Sequence, residues 1–273
     1  MLGRDVLAAA ERAGHDAVGL TRADLDVSDA SAVRAAVEAE RPDAVVNCAA
    51  WTDVDGAEGN EPAATAVNGA GAGHVAAAAT AVGATVTLPS TDYVFDGTKT
   101  TPYVESDPVA PQSAYGRSKL AGEQATVAAN DRHYVVRTSW LFGVAGKNFV
   151  DTMLGLARER DELRVVHDQV GCPTYTGHLA AALVRLATGA GGEPGIHHVA
   201  GGGAPCSWFE FANEIFRQAD TEVRTVPVTT DEFPRPAQRP AYSVLGSERD
   251  DPIRLPDWRT GLASYLAERA VAR

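Results

Sequence analysis

Cysteine is scarce in this 273-residue chain, and its three copies, Cys48, Cys172 and Cys206, lie far apart with no CxxC spacing. That excludes a disulfide framework and argues against structural zinc; free thiols in a reducing compartment fit better. Long apolar runs are missing as well. No stretch approaches the roughly 20 uncharged apolar residues of a membrane span, and the opening residues, charged at Arg4 and Asp5 before a helical pattern, read as neither signal peptide nor anchor. Positive charge is in the minority, with 24 Lys and Arg against 36 Asp and Glu and a formal net charge of −12. The average surface therefore repels nucleic acid and anionic lipid, and no run of Lys and Arg makes a basic patch. What is present, 45% hydrophobic and 22% charged residues, is the composition of a folded chain rather than a disordered one. The expectation is a soluble, cytoplasmic protein with one large domain or one domain and a smaller lobe, and with neither nucleic acid nor membrane as partner.

Hydrophobic periodicity predicts a helix over about Leu2–Ala13, a short strand Ala17–Leu20, and a helix Ala30–Glu40 that carries Asp29 as cap and stops before Pro42. The run Ala44–Ala50 reads as a strand buried on both faces. Pro62 opens an alanine-rich helix to about Val82, and Ala84–Ser90 follows as a strand. Then come a helix Ser113–Ala129, a strand His133–Ser139 and a helix Asn148–Glu159. Strands alternating with long helices argue for βαβ units and a doubly wound parallel sheet. Beyond Asp161 the pattern loosens. A short strand Ile196–Ala200 stands between glycine clusters, Ser207 and Glu210 form a capping box for a helix Trp208–Arg217, and six prolines make Val226–Pro256 irregular and extended. A last helix runs from Trp258 to about Ala272. The organisation predicted is a dinucleotide-binding core over 1–160 and mainly a small substrate-binding lobe over 161–273, with some elements returning to the core.

The strongest local signal is Tyr115-Gly116-Arg117-Ser118-Lys119, because a tyrosine and a lysine four apart share one helix face. A phenol is a poor acid–base group at neutral pH; a neighbouring ammonium is expected to favour the phenolate and bring the pair into working range. The same lysine could hold the ribose of a nicotinamide cofactor. Taken alone the pattern is common, and its bland reading is a packed aromatic beside a solvated lysine. Ser90-Thr91 changes the balance: it ends a buried strand, where open α/β sheets bind ligands and a hydroxyl can hold a carbonyl oxygen as charge develops.

Five stretches now fall into line: Val45-Val46-Asn47-Cys48-Ala49-Ala50-Trp51-Thr52-Asp53-Val54-Asp55, Ser90-Thr91-Asp92-Tyr93-Val94-Phe95-Asp96-Gly97, Tyr115 to Lys119, Arg137-Thr138-Ser139-Trp140-Leu141-Phe142-Gly143, and Asp168-Gln169-Val170-Gly171-Cys172-Pro173-Thr174. In that order they resemble the dTDP-4-dehydrorhamnose reductases of the extended short-chain dehydrogenase/reductase superfamily over most of the chain. The resemblance implies a Rossmann-like fold with a small C-terminal lobe, and reduction of the C4 keto group of a dTDP-linked 4-keto-6-deoxyhexose by NADPH or NADH. It gives Thr91 the carbonyl oxygen, Tyr115 the proton, and Lys119 the tuning of the tyrosine and the hold on cofactor. Cofactor contacts fall on Asp26, Val27, Ala50, Trp51 and Thr52, and sugar contacts on Thr91, Asp92 and Trp140, whose aromatic face would suit a deoxysugar's apolar face. In Arg235-Pro236-Ala237-Gln238-Arg239-Pro240 the expected diphosphate ligand is Arg239, since a guanidinium contacts phosphate oxygens in two places.

Tyr93 separates reaction types within the superfamily. Related 4,6-dehydratases carry Glu immediately after this Asp, and the missing carboxyl here disfavours elimination of water. Leu20-Thr21-Arg22 ends the first predicted strand of this chain, the place of the second strand in dinucleotide folds, and leans towards NADPH, because Arg22 can accommodate a 2′-phosphate; Asp24 keeps NADH open. His197 and His198 point to opposite faces of a strand, so no metal site is expected from them. Asp53, Asp55, Glu58 and Glu61 read as helix capping and dipole complementarity rather than as a metal cluster.

The resemblance departs at the start. The family begins with a strand and a TGxxGxxG turn, whereas only Gly3 matches here, at the last glycine; the first strand and most of the phosphate cradle are missing from this chain. The expectation is that Met1 is an internal methionine of a longer natural chain; the alternative is a shortened homologue of weak activity. A non-catalytic dinucleotide-binding subunit is the competing function, a reductase of another nucleotide-linked ketosugar stays open beside the rhamnose enzyme, and a homodimer is compatible with the sequence.

Overall fold

A computed structural model describes residues 1–250 and 252–271. The elements in chain order are α1 (Leu2–Arg12), α2 (Ala30–Glu40), β1 (Ala44–Val46), α3 (Val54–Glu58), α4 (Glu61–Thr65), α5 (Gly71–Val82), β2 (Thr85–Thr91), α6 (Ala114–Ala129), β3 (His133–Thr138), β4 (Leu141–Phe142) and α7 (Phe149–Leu156). They continue with β5 (Glu162–Val166), β6 (Val170–Gly171), β7 (Thr174–Tyr175), α8 (Thr176–Ala187), β8 (Gly195–His198), β9 (Cys206–Ser207), α9 (Trp208–Gln218), β10 (Arg224–Val228) and α10 (Trp258–Val271). The four strands β1-β2-β3-β8 form a parallel sheet in that order. One face is covered by α1 and α8, the other by α2, α5 and α6. All seven residues of β2 are buried, as a strand covered on both faces requires.

Helix boundaries follow the caps. Asp29 accepts from the N–H groups of Ser31 and Ala32, Ser113 from Gly116, and Ser207 with Glu210 closes the expected capping box at α9. The alanine-rich helix predicted from Pro62 is continuous but changes pitch: a π-helical turn, Ala66–Ala70, joins α4 to α5. Beyond the sheet lies a second apolar core, built from α7, α9, α10 and β5 around Phe142, Phe211, Trp258 and Tyr265. There β5 pairs in parallel with β10, whose Pro227 is tolerated because the sheet has only two strands and every strand is an edge.

Three expectations need correcting. Ala17–Leu20 is not a strand: β1 is the outermost strand of the sheet, no strand among the described residues lies beside 17–20 to share hydrogen bonds, and Val18 and Leu20 are 62% and 51% exposed. For the same reason β1 is short and half-buried rather than covered on both faces. The irregular region beyond Asp161 contains a full helix, α8, whose Leu179, Leu183 and Leu186 are fully buried against the sheet and α1; their helical spacing was the readable signal. Ala272 of the last predicted helix falls outside the described residues.

Candidate active site

Thr91 is the last residue of β2, and α6 crosses close to it. The approach is possible because position 116 is glycine: a Cβ there would stand 2.3 Å from the Tyr93 carbonyl oxygen. Glu58 adds a second anchor by accepting from the Ala114 N–H at 2.8 Å. Tyr115 is thereby brought beside the Thr91 hydroxyl, and its ring meets Tyr93 edge-on at 5.7 Å. Thr91 Oγ1 donates to Asp92 Oδ1 at 3.1 Å and accepts from the Tyr93 N–H.

One turn further on, Lys119 is 5% exposed and its Nζ donates to the Pro89 carbonyl at 2.7 Å, the bond recorded for it among the described residues. A lysine has three donors, so two remain for a ligand. Burial pushes Lys119 down to about 8, against the pull of Glu123 and Cys48. Burial pushes the Tyr115 phenol up to about 12; Thr91 counters that rise and Asp92 adds to it. The expected lowering of the phenol by the ammonium is therefore not what this arrangement gives. Lys119 is directed to a carbonyl, desolvation dominates, and Tyr115 is a neutral phenol at pH 7.

Behind the site, Glu123 accepts Ser90 Oγ at 2.5 Å and both Nε and Nη2 of Arg137 at 3.1 and 2.8 Å, with both charged side chains 3% exposed. Asp92 is 2% exposed, and burial pushes its carboxyl up to about 6 despite help from Ser243 and Thr91. Among the described residues its Oδ2 has no hydrogen-bond partner, nor has Thr138 Oγ1. Thr138 is the register partner of Thr91 across β2 and β3, so two unsatisfied buried oxygens belong to adjacent strand ends, where a polar ligand would complete them.

Ala50, Trp51 and Thr52 follow β1 at its carboxyl end. Trp51 is fixed by Asn68 on the π-helical turn, which accepts its N–H at 2.8 Å and donates to its carbonyl at 3.1 Å and to Ser118 Oγ at 2.9 Å. Asn68 was not singled out from sequence; an asparagine inside an alanine-rich helix is a poor local choice and was the available clue. Gly3 sits in the first turn of α1 against Cys48. Asp26 accepts from the Ser28 N–H and hydroxyl, and Val27 packs on Gly71 with its carbonyl bonded to His74. Arg22 is exposed, while the Asp24 carboxylate is engaged by Thr21.

The acidic group after Trp51 does more than cap. Asp53 caps α3, but Asp55 accepts from Arg235 and Arg239 and from the Ala237 N–H, and Glu61 pairs with Arg117. The Arg239 guanidinium beside it holds the Asp55 carboxyl well below the usual carboxylate range. Arg239 is thus tied to Asp55 and the Ala237 carbonyl rather than standing free for phosphate.

Trp140 follows β3 and stacks on Trp208 with centroids 3.5 Å apart and planes 4° apart. A face-on contact with a sugar would need one of its faces open, and Trp208 covers one of them.

The family described as "RmlD substrate binding domain" matches residues 1–271. The chain is 42% identical over 273 residues to the Bacillus subtilis spore coat polysaccharide biosynthesis protein SpsK, covering 99% of this chain and 95% of that one. It is 44% identical to a Streptomyces griseus dTDP-4-dehydrorhamnose reductase, with 96% and 88% covered. A crystal structure of dTDP-4-dehydrorhamnose reductase from Bacillus anthracis in complex with NADP superimposes with a TM-score of 0.94 at 38% identity, over 98% of this chain and 95% of that one.

Proposed function

Because the chain belongs to the RmlD substrate binding domain family, we propose that it reduces the C4 keto group of dTDP-4-dehydro-L-rhamnose to dTDP-L-rhamnose with NADPH. The observation that carries this reading is the meeting of Thr91, a neutral Tyr115 and a buried Lys119 with two free donors at the carboxyl end of β2. NADPH supplies the hydride when bound. The unused donors of Lys119 suit its ribose, and the backbone at Ala50, Trp51 and Thr52, fixed by Asn68, suits the dinucleotide beside it. Gly3, Asp26 and Val27 are the remaining cofactor contacts of this reading, at the pyrophosphate and adenine. Arg22 favours the 2′-phosphate of NADPH, since Asp24, the competing partner for a 2′-hydroxyl, is occupied by Thr21.

In the chemical step the Thr91 hydroxyl holds the carbonyl oxygen and Tyr115 donates its phenolic proton to that oxygen as the C4–H bond forms. Lys119 keeps the cofactor ribose and the helix in place. Asp92, through its unsatisfied Oδ2, takes a sugar hydroxyl. Arg239 meets the diphosphate while shared with Asp55; the pair of guanidiniums around one carboxylate leaves a net positive charge there. The core over 1–160 would carry cofactor and the region from 161 mainly the sugar nucleotide, in the cytoplasm where three free thiols are stable.

The test is NADPH oxidation in the presence of dTDP-4-dehydro-L-rhamnose. Tyr115→Phe removes the proton donor and should lower kcat by about 10²- to 10⁴-fold with an unchanged fold by circular dichroism. Full activity in that variant, or no turnover by the unaltered chain with dTDP-L-rhamnose still bound, overturns the assignment.

A further inference from the structure

Trp140 is held in an unusual way. Its φ of +49° places a bulky residue in the left-handed region, which costs of order 1–3 kcal/mol and persists where surroundings enforce it. Trp208 lies flat on one ring face. The other face is covered by Gly171: a Cβ there would stand 2.6 Å from Cε2, 2.8 Å from Nε1 and 2.9 Å from Cζ2 of Trp140. Three nearly equal distances to three adjacent ring atoms put that glycine above the ring plane, and Trp208 at stacking distance leaves it no room on its own side.

Trp208 is itself fixed. It begins α9 behind the capping box, its indole N–H donates to Gln169 Oε1 at 3.2 Å, Gln169 donates to Thr230 at 3.0 Å, and Phe149 packs on its ring at 4.6 Å. Gly171 is equally fixed, in β6 against Cys206 of β9. The Trp140 indole N–H, by contrast, donates to no described residue; the ring is half-buried and this N–H is not among the buried unpartnered atoms, so its edge stays accessible while both faces are covered. Its position is the decisive fact: Trp140 stands two residues after Thr138, the register partner of Thr91.

We propose that Trp208 and Gly171 are positioning residues that clamp Trp140 from both faces, so that its indole N–H edge, not its face, reads the hexose. The clamp sets affinity for the sugar half of the substrate and leaves the nucleotide half untouched. This rests on the reading of a dTDP-linked deoxysugar as substrate.

The experiment is titration calorimetry of dTDP-L-rhamnose and of dTDP alone, with steady-state kinetics alongside. Trp208→Ala should weaken dTDP-L-rhamnose and raise the KM of the ketosugar by about tenfold, the scale of a lost pocket contact, with kcat and the affinity for dTDP within about twofold. Gly171→Ala, which drives a methyl into the ring from the other side, should do the same. Trp208→Phe keeps a stacking ring and should restore most of the affinity; Trp140→Phe keeps the clamp, loses the N–H and should reproduce the tenfold loss. Equal weakening of dTDP and dTDP-L-rhamnose, or affinities like those of the unaltered chain in Trp208→Ala and Gly171→Ala, overturns the clamp. If Trp208→Ala does not fold, Gly171→Ala and Trp140→Phe decide. A chain that binds dTDP-L-rhamnose but never turns over the ketosugar removes the reductase reading, and the ratio of the two affinities still judges the clamp.

Discussion

Replacing Glu123 by Gln isolates the ionic lattice behind Thr91, Tyr115 and Lys119. Glu123 Oε1 accepts from Ser90 Oγ at 2.5 Å and from Arg137 Nε at 3.1 Å, and Oε2 accepts from Nε at 3.2 Å and Nη2 at 2.8 Å. An amide has one acceptor oxygen where the carboxylate has two, so an NH2 group either faces Arg137 Nη2 in place of Oε2 or faces Arg137 Nε and Ser90 in place of Oε1. Arg137 also loses its counter-charge while 3% exposed, keeping among the described residues the Glu105 carbonyl, His198 and the Phe95 ring. Removing one member of a buried pair costs about 3–5 kcal/mol, because the remaining charge stays desolvated, a large part of the 5–15 kcal/mol that holds a typical domain together. Urea unfolding followed by far-ultraviolet circular dichroism should show the midpoint falling by about 1–2 M at a slope near 3 kcal/mol per M. Replacing both partners, Glu123→Leu with Arg137→Met, removes the stranded charge and should recover most of that loss. A Glu123→Gln midpoint within about 0.3 M of the unaltered chain, or a double variant less stable than the single one, refutes the account.

The lattice also reaches Lys119, whose pKa Glu123 raises from one helical turn away. With Lys119 pushed down to about 8, kcat/KM should fall above that pH as the ammonium is lost, and Glu123→Gln should move the fall to lower pH, read from profiles between pH 6 and 10. The folded pKa lies below the ordinary 10.5, so the unfolded chain binds more protons between the two values: burying Lys119 costs stability below pH 8, and that cost disappears as pH rises through 10.5. Ser113→Ala removes the bond to the Gly116 N–H at 3.1 Å and should cost about 1 kcal/mol by urea unfolding. A loss in Ser113→Ala no greater than that of an exposed surface serine would show that Glu58 alone suffices to cap α6.

Local patterns were legible because local physics produces them. The tyrosine and lysine of α6 share a face through helix geometry, and the capping box of α9 lies within four residues. Contacts between distant segments left no such trace. Asp55 meets Arg235 and Arg239 from 180 and 184 positions away, so the sequence offered only a plausible cap and a plausible phosphate ligand, which the fold makes partners. Trp140 had a clear local context, but the residue lying on its ring opens a helix 68 positions later. The strand expected at Ala17–Leu20 failed for the complementary reason: strand propensity is realised only beside another strand, and none among the described residues lies there.

The correction to Tyr115 bears on the direction of the reaction. Hydride addition to a ketone creates an alkoxide whose basicity is close to that of hydroxide, the conjugate base of water at about 15.7. A phenol pushed up to about 12 still surrenders its proton to such an oxygen with a favourable difference of several units, so the buried, neutral tyrosine is an adequate acid for reduction. Oxidation of the alcohol would instead require the phenolate, which burial and the nearby Asp92 oppose. The Lys119 ammonium donates to the Pro89 carbonyl, and burial pushes it down to about 8, below the phenol. Desolvation of Tyr115, beside a Lys119 bonded to a backbone carbonyl, thus leaves the phenol at neutral pH in the protonated form that the proposed reduction uses.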